Sequence, residues 1–271
     1  MPSLRPKNPP KQYPPLGIER EYMIVMRKLL KRTKDILERE ALQLLPGILK
    51  QGKLETRLDT YEDDVAELRA GFARATTLAE DIIISVSEEA VLELAYKTAT
   101  WNKRAVGNML RSKFGIIFYD KEPWLSDMLR IFATNNANLI KSNNMEFINK
   151  TQETVYRGMN AGTRHEVIRK ELFAQSKTEL GRNSVFKNAK KRASVIARDQ
   201  VNKINGDLTH LRQERVGVKK FIWRTAGDGR VRPLHRSFNG QTYKWNEGAA
   251  GGLLPGQDIM CRCYAEPVLE E

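Results

Sequence analysis

Two apolar repeats divide this 271-residue chain. From Gly17 to about Val216 apolar side chains return every three or four positions, the repeat of amphipathic helices. Ile18, Tyr22, Val25, Leu29, Ile36 and Leu37 mark a first helix, which Pro46-Gly47 is expected to end. A second is expected from near Asp59 through Val65, Leu68, Phe72 and Leu78. A third opens at the capping box Ser85-x-x-Glu88 and carries Val91, Leu94, Trp101 and Leu110 to Gly115. Ile116 to Tyr119 reads as a strand or a buried connector. After Pro123 comes a helix with Trp124, Leu125, Met128, Leu129 and Phe132. The polar run Asn135–Asn144 leaves open whether that helix continues toward Phe147, Ile148 and Val155, which end at Gly158 or Gly162. Thr163-x-x-Glu166 predicts a short helix with Val167, Ile168 and Leu172. Asn183 to Val216 predicts a long one.

Beyond Gly217 the repeat shortens to two, the mark of strands. Lys219–Thr225 predicts a strand and Ala226–Gly229 a turn. Phe238–Trp245 predicts a turn into a second strand, and Ile259–Leu269 a last one after a glycine-rich loop at 247–256. The fold class is therefore α+β: a mainly helical front portion, then a long helix packed on a small antiparallel sheet. Residues 1–16 hold six prolines and no apolar repeat, which predicts an extended arm. The expected division is arm 1–16, helical domain 17–180 and terminal module 181–271.

Charge adds a functional hint. The formal net charge is +13. Residues 182–236 hold 15 Lys/Arg against 4 Asp/Glu, and residues 1–34 hold 9 against 2, so the remainder is mildly acidic. Such asymmetry predicts contact with a polyanion by part of the surface. On the long helix, Lys187, Lys190, Lys191, Arg192, Arg198 and Lys203 lie opposite the apolar stripe and suit non-specific contact with a phosphate backbone; a solvated basic face is the plainer alternative. No apolar run reaches 18 residues, so no membrane partner is expected. The first residues lack the apolar core of a signal peptide, and two cysteines make no disulfide framework, so synthesis in a reducing cytoplasm is expected.

The candidate chemistry concentrates between Trp223 and Tyr264. Cys261 and Cys263, two apart on an expected strand, would present both sulfurs to one face. With His235 and Asp228 they make a donor set sufficient for a structural zinc. The alternative is two reduced cysteines in a small core, with His235 bonded to Asp228. A metal-dependent nuclease or DNA-processing factor needs more carboxylate or imidazole ligands than the module supplies, and no hydrolase signature surrounds either thiol, so no catalytic residue is assigned.

The order W-R-T-A-G-D-G-R-V-R-P-L-H, F-N-G, P-G-Q-D-I-M-C-R-C, led by A-R-D-Q-V-N-K-I-N-G at 197–206, resembles the phage Mu F-like minor head proteins, the phage head-morphogenesis family. Its signature positions here are Trp223, Thr225, Asp228, Arg230, Arg232, His235, Gly240, Pro255, Cys261, Arg262 and Cys263. The resemblance implies a minor capsid or portal-associated head protein, made in the host cytoplasm and placed inside the virion near the portal. Its implied partners are the portal or major capsid protein and packaged DNA, with no enzymatic role. A general nucleic-acid-binding module is the remaining alternative.

Overall fold

The computed structural model describes residues 10–50, 58–117, 121–174 and 183–269. Residues 1–9 of the expected arm and residues 118–119 of the expected strand or connector lie outside them. The described chain forms α1 (Leu16–Glu40), a 3-10 turn (Leu42–Leu44), α2 (Leu45–Lys50), α3 (Leu58–Phe114), α4 (Leu125–Asn160), α5 (His165–Phe173), α6 (Val185–Arg215), β1 (Lys220–Arg224), α7 (Pro233–Phe238), β2 (Thr242–Lys244) and β3 (Tyr264–Val268). Helices with one small sheet make this an α+β fold, as the two repeats predict.

Several helices outrun their expected limits. Ser85 does not open a helix: it lies inside α3, and its hydroxyl donates to the Ile82 carbonyl one turn back. The asparagine run stays helical in α4 because Asn136, Asn143 and Asn144 are buried, and Asn144 donates to the Ile140 carbonyl. Tertiary burial overrides the weak helix propensity of asparagine there. Pro46 stands in the first turn of α2, where its missing N–H costs nothing, so α1 ends earlier, at Glu40. The α5 helix forms as predicted, but its cap is Arg164, whose side chain makes no capping hydrogen bond.

By compactness the chain divides otherwise than at residue 181, into two units that each draw on separate stretches. One comprises residues 23–90 and 134–196. Its buried side chains include Met26, Leu30, Leu37, Phe72, Phe147, Ile168 and Leu172. Phe147 packs on Phe186 with ring centroids 5.5 Å apart. Gly71 lets the helix backbone approach residue 40 closely, since a Cβ there would sit 2.4 Å from the Glu40 carbonyl oxygen.

The other unit comprises residues 1–22, 91–133 and 197–271. Its sheet is antiparallel in the order β2-β1-β3, with Phe221 opposite Tyr243 on one side and Trp223 opposite Ala265 on the other. Phe221 and Trp223 alternate with part-exposed neighbours and are wholly buried. They pack with Phe238, Trp245, Ala249 and Ala265 into the core of the terminal module. The second half of α6 supplies Ile204 and Leu208 to a cluster with Ala95, Ala99 and Leu129. Gly206 is needed where α6 meets the loop, because a Cβ there would stand 2.7 Å from the Pro255 carbonyl oxygen.

Residues 10–15 are non-helical, as an arm requires, yet they pack on their own unit. Gln12 is buried and its amide reaches the Thr209 hydroxyl at 3.4 Å. Pro10–Ile18 and Trp101, Arg104, Ala105 and Asn108 line a cleft of about 510 Å³.

Candidate functional site

The site is assembled by two short pieces of the terminal module, α7 and the turn before β3. Pro233 presets the first turn of α7, and the helix then buries His235 and Phe238, three residues apart, on one face. Sequence patterning missed this helix; the Arg-Pro start and the His235/Phe238 spacing are the signals that identify it. The turn before β3 contributes Asp258, Cys261 and Cys263. It is closed by the Cys261 amide donating to the Asp258 carbonyl at 2.9 Å. Met260 there adopts φ 59°, a left-handed conformation rare for a side chain, and its amide is held by Asp199 Oδ1 at 2.8 Å. Asp199 belongs to α6, so the leading helix motif fixes the strained turn.

Both cysteines precede β3 rather than lying on it, so pleat alternation does not align them. The turn does: Cys261 Sγ and Cys263 Sγ lie 3.5 and 3.6 Å from His235 Nδ1. Donor atoms of the three residues all fall within 4.8 Å of one another. On the other side of the imidazole, Asp258 Oδ2 lies 3.2 Å from Nε2, off the line of a well-directed hydrogen bond. Arg232 holds the same carboxylate oxygen at 2.7 Å.

The thiols differ in character. A hydrogen bond from Cys263 draws the Cys261 thiol down to about 6, with backbone amides and His235 helping against burial. Cys263 is pushed up, because its proton is shared toward Cys261 and its site is desolvated. The Trp223 indole N–H, which has no well-formed hydrogen bond, favours negative charge on Cys263.

Asp228 stands apart from this cluster. It accepts from Arg262 at 2.7 Å and from the Arg230 guanidinium at 3.2 Å, and Arg262 above all holds its carboxyl below the usual range. Of the four residues expected to bind metal, three converge and Asp228 serves the arginines. Asp258 is the carboxylate that residue spacing alone does not single out. Arg198, Arg230, Arg232 and Arg262 line, with His235 and both cysteines, a cleft of about 170 Å³.

The six cations of α6 do not form a free stripe. In the unit containing 134–196, Arg192 pairs with Glu146, Lys191 reaches Asn188 Oδ1 at 3.4 Å, and the Lys190 ammonium lies 4.8 Å over the Phe186 ring. Burial, with Arg27 and Lys187 nearby, lowers the Lys190 pKa. Lys187 is half-buried. In the other unit, Arg198 faces Glu19 at 3.4 Å and Lys203 faces Asp199 at 2.9 Å.

The motif residues of the module thus bind one another: the arginines hold aspartates, the histidine meets the cysteines, and the tryptophan is core. Residues 149–266 match the family described as "Phage Mu protein F like protein", so that segment is similar to those proteins. The family is a structural one of phage head morphogenesis. A protein of Haemophilus influenzae, described only as uncharacterized, is 35% identical over 172 residues, covering 62% of this chain and 36% of that protein. The chain therefore spans little more than a third of that relative's length. No solved structure matches it. Among the described residues no helix is long and apolar enough to cross a membrane.

Proposed function

We propose that this protein is a minor capsid protein of a tailed phage, seated inside the head beside the portal, where it acts in head assembly and genome delivery. The observation that carries this reading is the Mu F-like match over residues 149–266. The site geometry agrees with it, since the signature side chains are spent on holding the module's shape. Packaged DNA is the polyanion that the basic excess serves, through non-specific phosphate contacts made by Lys187, Lys190 and Lys191.

Heads purified from an infected or induced host test the reading. The protein co-purifies with DNA-filled heads in a few copies and cross-links to the portal; a chain found only in the soluble lysate contradicts it. For the DNA contact, the logarithm of affinity for duplex DNA falls with the logarithm of salt. Each Lys→Ala replacement that frees one phosphate flattens that slope by about 0.9. A triple variant with the parent's slope removes these lysines from the interface.

A further inference from the structure

We propose that His235 Nδ1, Cys261 Sγ and Cys263 Sγ bind one zinc-class divalent ion, with Asp258 positioning the histidine from behind and the fourth coordination place open to the arginine-lined cleft. This goes beyond a role in the head and does not depend on it.

Three independent features carry the assignment. The first is donor type and spacing. Two sulfurs and an imidazole are a donor set typical of zinc, and bonds of about 2.3 Å to sulfur and 2.0–2.1 Å to nitrogen place tetrahedral sulfur and nitrogen ligands roughly 3.5 Å apart. The two sulfurs stand 3.5 and 3.6 Å from the ring nitrogen. Second, a carboxylate lies behind the ring. Asp258 Oδ2, itself held by Arg232, lies 3.2 Å from Nε2, near enough for its charge to favour a proton there and leave Nδ1 free to ligate. Third, an N–H group faces sulfur: the Cys263 amide lies 3.4 Å from Cys261 Sγ, and Cys263 packs against the cluster that holds the buried Trp223, whose indole N–H has no hydrogen-bond partner among the described residues. Such donors stabilise coordinated thiolates.

The physical consequence is a staple. Cys261 and His235 are 26 residues apart in sequence. The ion would tie α7 to the turn before β3 in a module whose strands have only five, three and five residues. So small a sheet gains from a metal what a larger core supplies by burial.

The test uses the full chain purified under reductant. About one zinc per chain is expected by elemental analysis, and cobalt replacement should give thiolate-to-cobalt charge-transfer absorption with tetrahedral d–d bands. Cys261→Ala and Cys263→Ala should each lose the bands. Asp258→Asn should keep them but bind about 10- to 100-fold more weakly, whereas Asp228→Asn should match the parent. Because a cysteine variant could fail through misfolding, the parent is also melted with and without a chelator; removal of metal should lower its Tm while helical circular dichroism at low temperature persists. A natively folded parent that lacks metal as purified and gives no cobalt bands overturns the site. Weakened binding in Asp228→Asn with none in Asp258→Asn overturns the positioning role.

Discussion

In the unit formed by residues 23–90 and 134–196, the largest wholly buried side chains are apolar: Met26, Leu29, Leu30, Leu37, Phe72 and Phe147. In the unit that contains the terminal module, a guanidinium joins them. Arg212 is fully buried and grips Glu122 with two bonds, at 2.6 and 3.0 Å, while donating to the Ala99 carbonyl and Asn102 Oδ1. Asn102 in turn donates to Asn205 and Thr209, and Gln213 donates to the Ala265 carbonyl of β3. The first unit also buries polar groups, such as the Thr33 hydroxyl donating to Asn144 Oδ1 at 2.8 Å, but these are neutral. The second buries a charged pair, Arg212–Glu122, tied into a network of side-chain amides and a hydroxyl.

The sharpest way to break the contrast is Arg212→Met. It fits the space but leaves Glu122, among the described residues, with Lys103 alone as an ion-pair partner, 3.3 Å away, and a broken buried pair costs about 3–5 kcal/mol. Urea unfolding reads this, and a loss near the level of a surface change would refute the network's role.

Next come the helix glycines. Gly206→Ala drives a methyl onto the Pro255 carbonyl and Gly71→Ala onto that of Glu40; each should lose about 1–3 kcal/mol as overpacking. Gly107→Ala, with nothing within 4 Å, should gain about 0.4–1 kcal/mol. If all three behaved alike, close packing would not be why the first two are glycine.

A smaller effect follows acid. Burial opposes charge on Glu266, but bonds from Arg224 and Lys113, each 2.5 Å, outweigh it and lower its pKa below the ordinary 4.5. A carboxylate depressed in the folded state adds stability above the unfolded pKa, and that stability fades as pH falls through the folded value. Stability should therefore drop below about pH 4.5, and Glu266→Gln should show a shallower drop in acid titrations of unfolding. Least of all, Lys150→Ala should change stability by no more than about 0.5 kcal/mol, because its pair with Glu153 is exposed.

The same contrast governs what the sequence reveals. Helix identity in the long periodic stretches and the switch to strands at Gly217 follow from spacing alone. Interior breaks do not, because burial of Asn144 and the backbone bond of Ser85 are decided by tertiary partners. At the site, His235, Cys261 and Cys263 are legible as donors. Their convergence is not, since it depends on a turn pinned by Asp199 from 61 residues away. Asp228 misleads for a related reason: its acidity suits a metal, but Arg262 has already claimed it.

The proposal to be tested is that this chain, similar over residues 149–266 to phage Mu F-like proteins, works as a structural part of a phage head. Mass spectrometry of cross-linked, purified DNA-filled heads tests it most directly. The claim predicts links between the terminal module and the portal at a few copies per head. Heads that package DNA with no copy of this chain would contradict it.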